Sequence, residues 1–134
     1  MTSYLDLVDF LLIAERVLGV DAKVLSKGVG VGLADSALNA PAACFGGVEF
    51  YPEFPQKAAV LLQHLVGNHP LPDGNKRTAY ACLREFVGRN GYRWVATTSE
   101  DAVVTMVRVA SGEIGLDKLA DWITSQLRRD ELNA

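Results

Sequence analysis

Glu53-Phe-Pro-Gln-Lys-Ala-Ala-Val-Leu-Leu-Gln-His-Leu-Val-Gly-Asn-His69-Pro-Leu-Pro-Asp-Gly-Asn-Lys-Arg-Thr-Ala79-Tyr-Ala-Cys-Leu-Arg-Glu-Phe86 is the stretch on which the fold turns. In its first half Phe54, Ala58, Leu61, Leu62 and Leu65 recur at the spacing of one helical stripe, and Gly67-Asn68 supplies a stop. In its second half Ala79, Cys82, Leu83 and Phe86 form another stripe that closes at Asn90-Gly91. Two amphipathic helices joined by a short polar loop predict helix packed on helix, not a sheet.

The neighbouring segments extend that reading. Leu7, Phe10, Leu11, Ala14, Val17 and Leu18 predict a first helix over about residues 4–18, ended by Gly19. The glycines of Lys27–Asp35 predict a loop, followed by a short helix near Asp35–Asn39 that Pro41 stops. Phe45-Gly-Gly-Val-Glu-Phe-Tyr-Pro52 mixes glycine with β-formers and predicts a small hairpin. Val103, Met106, Val107 and Ala110 mark a helix with Ser99 as its cap and Gly112 as its end. Leu116, Leu119, Ala120, Ile123 and Leu127 mark the last helix, with a polar tail from Arg128 expected to fray. The fold class is therefore all-α, a helical bundle with at most one small hairpin, and residues 1–134 read as a single domain.

Composition narrows the function. Thirteen Lys and Arg against sixteen Asp and Glu leave a net charge of −3, which argues against DNA or RNA binding by this chain alone. Cys44 and Cys82 lie far apart in apolar surroundings and read as small buried thiols of a reducing compartment. Met1–Asp6 has no basic region ahead of an apolar run, and Phe10–Ala14 is too short to span a membrane, so a cytoplasmic protein is expected.

Six polar or ionisable residues crowd the segment that joins the two helices of the opening stretch, His69-Pro-Leu-Pro-Asp-Gly-Asn-Lys-Arg-Thr-Ala79. Pro70 biases His69 away from the helical region, and two prolines limit how the loop moves. Gly74-Asn75-Lys76-Arg77 opens the next helix, whose unpaired N–H groups and partial positive charge favour an anion. Lys76 and Arg77 have the wrong sign for that end of the helix dipole, a cost of ~0.3–1 kcal/mol that a bound phosphate offsets. Asp73 adds a hard oxygen beside this cradle, as a magnesium nucleotide requires. His69 offers an imidazole nitrogen that can take a proton from a hydroxyl. The set predicts transfer of a phosphorus group to an acceptor hydroxyl. Taken singly, each residue has a plainer reading: Asp73 caps the helix, Asn75, Lys76 and Arg77 are solvated, and His69 is a loop histidine.

Other signals carry less. Gly28-Val-Gly-Val-Gly32 lacks the third glycine and preceding strand of a dinucleotide loop and reads as a turn. His64 has no partner at zinc spacing, Tyr80, Trp94 and Trp122 read as core aromatics, and Cys82 reads as a buried hydrophobe, while Thr78 is a candidate acceptor for self-modification.

The loop resembles the signature of the Fic/Doc family, which runs His, x, Phe, x, Asp or Asn, x, Asn, Lys, Arg, and its Asn75-Lys76-Arg77 form points to the Doc branch. Phe45–Pro52, Lys57–Leu62, Gly32–Asp35 and Ala110–Ile114 are similar to other parts of the family, so the resemblance covers roughly residues 30–125. It implies a Fic/Doc helical bundle with a hairpin flap at about 45–51 and the motif loop at 69–77. His69 would be the catalytic histidine, Asp73 would hold Mg²⁺ or orient the reactants, and Gly74, Asn75, Lys76 and Arg77 would hold the phosphates of ATP. With Lys76 where the Fic branch has glycine, the resemblance implies transfer of the γ-phosphate to a Thr or Ser of elongation factor Tu, arresting translation. Adenylyl transfer, or a catalytically weak module that binds nucleotide or antitoxin, is the alternative. Leu71 replaces the usual Phe and can still anchor the loop by apolar packing, and no second arginine follows Arg77 at the adenylylating spacing. No internal inhibitory helix of the form Ser or Thr, three residues, Glu is found, so the resemblance implies inhibition in trans by a Phd-like antitoxin that folds on binding. The flap would offer its edge to an extended segment of the target.

Overall fold

The computed structural model describes residues 1–27, 30–95 and 97–130. Its helices are α1 (Leu7–Leu18), α2 (Ala22–Leu25), α3 (Val31–Asn39), α4 (Phe54–Asn68), α5 (Asn75–Arg89), α6 (Ser99–Ser111) and α7 (Leu116–Gln126). Its strands are β1 (Cys44–Phe45), β2 (Val48–Glu49), β3 (Tyr92–Trp94) and β4 (Leu127–Arg129). The architecture is the all-α bundle that the helical stripes predict, with the hairpin β1–β2 turning through Gly46-Gly47.

α4 is the centre of the molecule. The sequence predicts one buried stripe, yet every residue from Lys57 to Leu62 is buried, because α3, α5, α6 and α7 pack on α4 from several sides. Truncating Leu61, Leu62 or Leu65 to alanine would cost ~2–5 kcal/mol each, since neighbours on several sides cannot collapse into the space. α5 packs beside it through Cys82, Leu83, Phe86 and Val87, and Phe54 stacks between Phe86 and Tyr92 with ring centroids 5.0 and 4.8 Å away. α1 is tied to α5 by two bonds of 2.9 Å from the Arg89 guanidinium to Asp9.

Several boundaries differ from the sequence reading. Asp6 and Asp9 form a reciprocal capping box, which starts α1 at Leu7 and not at residue 4. α3 starts at Val31 inside the expected loop, because Ala34, Ala37 and Leu38 find a buried face there; Gly28 and Val29 of that loop lie outside the described residues. α2, capped by Asp21, has no counterpart in the sequence reading. Thr98 caps α6, with its hydroxyl accepting from Asp101 N at 3.0 Å, so the cap sits one residue before Ser99. The tail does not fray at Arg128: β4 pairs antiparallel with β3, and the Arg129 guanidinium covers the Tyr92 ring at 4.9 Å. There are thus two small sheets where one hairpin was expected. Among the described residues no helix is long and apolar enough to cross a membrane.

Candidate active site

The expected loop joins the C-terminus of α4 to the N-terminus of α5. α4 runs through Gly67 and Asn68 and is capped by His69, which adopts a left-handed conformation with φ 49° and ψ 57°. His69 is the only non-glycine residue with positive φ among the described residues. The residue before a proline is ordinarily extended, so this geometry departs from what Pro70 alone predicts. A helix C-cap accepts the left-handed form, but in histidine it stores ~1–2 kcal/mol that glycine would not. Such strain is concentrated at functional sites.

The rest of the loop is held down. Pro70 and Leu71 are buried, so Leu71 anchors the loop by apolar packing. Gly30, at the start of α3, packs so closely that a Cβ there would run into the Pro70 carbonyl oxygen. Asn75 closes the loop from inside: its Oδ1 accepts from Leu71 N at 2.9 Å, and its Nδ2 donates to Leu71 O at 2.8 Å. Those two bonds fix the orientation of the amide, so Nδ2, 3.3 Å from His69 Nδ1, presents a donor to that nitrogen. A neutral His69 in this state carries its proton on Nε2.

α5 begins without a side-chain cap. Its N-cap is Gly74 at φ 76°, and Asp73 does not serve the helix, so the plainer reading of that aspartate fails. Asp73, Lys76 and Arg77 are exposed and make no hydrogen bond or ion pair among the described residues. Two free cations and uncapped N–H groups on one helical turn make a receptor for an anion.

His69, Asp73 and Arg77 line one cleft of about 710 Å³, whose opposite wall is apolar and includes Leu18, Val24 and Leu33. Arg77 also borders a second hollow of about 200 Å³ between α5 and α6, where Lys76 and Tyr80 meet Val103, Met106 and Val107. The fold therefore gathers His69, Asp73 and Arg77 around one space, sets Lys76 toward the other, and spends the Asn75 side chain on the loop. Sequence reasoning missed the apolar wall, since Leu18 belongs to the α1 stripe and Val24 and Leu33 to segments without clear periodicity. Asp73 offers one unpaired carboxylate beside the N–H groups and cations at the start of α5, a donor set of the kind that magnesium takes together with phosphate oxygens.

Other candidates resolve simply. Thr78 is only 1% exposed, so its hydroxyl is out of reach for self-modification; its Oγ1 lacks a partner among the described residues. His64 is half-buried with Nδ1 2.9 Å from Val60 O, a local helix contact. Tyr80, Trp94 and Trp122 meet edge to face in the packing of α5, β3 and α7. Cys82 is buried, and burial pushes its thiol up to about 12, whereas Cys44 is exposed because the hairpin carries it away from the core. Both are free, so no disulfide joins them.

The hairpin lies toward the other end of α4. Glu49 on β2 meets Lys57, which is twelve residues before His69, roughly 18 Å along the helix at ~1.5 Å per residue.

The Fic/DOC family pattern matches residues 4–87. The curated protein Toxin Doc of Mycolicibacterium smegmatis is 41% identical over 121 residues, covering 90% of this chain and 90% of that protein.

Proposed function

The chain belongs to the Fic/DOC family, and from that membership we propose that it is a Doc-like toxin of a toxin–antitoxin pair, a magnesium-dependent enzyme that moves the γ-phosphate of ATP to a Thr or Ser hydroxyl of a translation factor. The observation that carries the reading is the strained His69 sharing a cleft with Asp73 and Arg77, directly before an uncapped, cationic helix start.

His69 takes the proton of the target hydroxyl as its oxygen attacks the γ-phosphorus. The new O–P bond forms as the bond from that phosphorus to the bridging oxygen breaks, and ADP leaves with the electron pair. For this the lone pair of His69 must face the hydroxyl, so the Asn75 contact to Nδ1 opens when substrate enters. The backbone N–H groups of the first turn of α5, with Lys76 and Arg77, hold the phosphates. Asp73 would hold Mg²⁺, which neutralises phosphate charge when bound. Lys76 borders the hollow between α5 and α6, and turned toward the phosphates its side chain would take the space that glycine would leave open and add a cation there, which favours γ over α transfer.

Val20, Val24 and Leu33 are exposed at the cleft, apolar surface suited to a helix of a Phd-like antitoxin that would cover His69. The target is elongation factor Tu, met in the cytoplasm.

The test uses purified protein with Mg²⁺, elongation factor Tu and ATP labelled at either the α or the γ phosphorus, with His69→Ala as control. Label from γ alone is expected. Label from α would replace this reading with adenylyl transfer. No label, with toxicity kept in His69→Ala, would leave a binding module.

A further inference from the structure

His69 keeps a left-handed backbone that the following proline disfavours, and a residue in that state persists only where its surroundings hold it there. Just before it, Asn68 Nδ2 donates to Leu33 O at 3.1 Å. Just after it, the peptide that joins Pro70 to Leu71 is held at both of its polar ends. Its N–H donates to Asn75 Oδ1 at 2.9 Å, and its carbonyl lies against Gly30, where a Cβ would overlap the oxygen and stand 2.6 Å from the carbon. Gly30 and Leu33 belong to one element, the first turn of α3 with its N-cap. That turn therefore meets the chain on both sides of His69. The ring of Pro70 fixes its own φ, so between helical Asn68 and the held peptide rotation is left to φ and ψ of His69 and to ψ of Pro70.

The backbone at position 30 does not itself call for glycine. Its φ of −84° and ψ of −1° are accessible to residues that carry a Cβ. Gly32, in the same turn, is exposed, and a Cβ there would meet nothing within 4 Å. Gly30 is buried, and what sets it apart is the Pro70 carbonyl: the missing side chain lets α3 close onto the motif loop.

We infer that the first turn of α3 is the brace that fixes His69, with Gly30 as a positioning residue that acts on the imidazole through Pro70. The kinetic half of this inference rests on the proposed phosphoryl transfer, and the conformational half stands without it. A methyl group at position 30 pushes the Pro70 carbonyl away from α3. The Leu71 N–H bond to Asn75 resists that movement, so His69, which carries the soft dihedrals, takes it up. Its ring then shifts against Asn75, Asp73 and Arg77, while the first turn of α5 stays where it is.

The test compares the full-length wild type with Gly30→Ala, Gly32→Ala and Asn68→Ala. In NMR the coupling between the His69 amide proton and Hα reports its φ, and hydrogen exchange of the Leu71 N–H reports the held peptide; γ-labelled ATP with elongation factor Tu reports transfer. Gly30→Ala is expected to move the coupling away from its left-handed value and to speed Leu71 exchange at least tenfold. Its kcat should fall at least tenfold with KM for ATP within about threefold, because the phosphate-holding turn is not displaced. Gly32→Ala adds the same methyl group to the same turn and should match the wild type in all of these. Asn68→Ala removes the tie to Leu33 without adding bulk and should shift coupling and exchange in the same direction by less; it carries the test if Gly30→Ala does not fold. Wild-type coupling and Leu71 exchange in Gly30→Ala, or in Asn68→Ala where only that variant folds, would overturn the brace. A changed coupling with kcat unmoved would overturn the positioning role. A wild type that transfers no label would refute the proposed activity, and coupling and exchange would still decide the brace.

Discussion

The side-chain amide of Asn75 sits 3.3 Å from Nδ1 of His69 while both of its own polar atoms are held by the backbone of Leu71. One residue thus ties the loop shut and chooses which ring nitrogen of the histidine carries the proton. Asn75→Ala would leave the part-buried N–H and C=O of Leu71 without partners, at ~1–3 kcal/mol for each group. Urea unfolding should show that loss, and nitrogen NMR of the ring should show the Nε2–H tautomer of the free wild type giving way to a mixture. Retention of a single tautomer in the variant would mean that Asn75 does not select it.

His69 combines strain with the proposed chemistry, and a single substitution separates the two. His69→Gly relaxes the left-handed residue and is expected to stabilise the fold by ~1 kcal/mol while group transfer falls by ~10²–10⁴-fold. Thermal unfolding and labelled-ATP transfer measured side by side check both signs.

Lys76 is the residue on which the choice of phosphorus depends. Lys76→Gly is expected to lower γ-label transfer at least tenfold and to admit measurable α-label transfer, since the bulk and the cation are removed together. Parallel assays with the two labelled nucleotides read the ratio directly.

Acid should reveal the link between α1 and α5. The Arg89 guanidinium, through its hydrogen bonds, holds the Asp9 carboxyl below the ordinary carboxylate value despite some burial. A lowered folded-state value means that the unfolded chain binds the proton more readily, so this stabilisation is complete above about pH 4 and is lost as pH falls through the folded-state value. Asp9→Asn should flatten the acid limb of stability while costing no more than ~1 kcal/mol at pH 7, because the pair is partly exposed.

The two thiols differ in the same way that their surroundings do. At pH 8 a thiol reagent should modify Cys44 in the native protein, and Cys82, buried and shifted to about 12, only after unfolding. Mass spectrometry of the native protein should find a single label.

Much of the chain could be read locally. Gly19 and Gly112 do end α1 and α6 in the left-handed conformation, and Leu71 is buried as the loop's anchor. Thr98 and Ser99 are both capping residue types, and the structure uses Thr98, whose backbone is extended and whose hydroxyl accepts from Asp101 N. The buried face of α3 overrode the loop preference of its glycines, and β4 escaped notice because its partner β3 lies far earlier in the chain. In the loop the residue types announced the chemistry, but the left-handed His69, the Asn75 closure and the apolar wall of Leu18, Val24 and Leu33 did not show in spacing.

The sequence by itself determined which residues could carry chemistry and which stretches would be helical, because residue type and a 3.6-residue period are properties of neighbours along the chain. Only the tertiary structure decided that Lys57 is buried against Glu49, that Thr78 is out of reach, and that His69 faces one cleft with Asp73 and Arg77. Those outcomes depend on packing among α1, α3, α4 and the motif loop, and such contacts join residues that no local pattern relates.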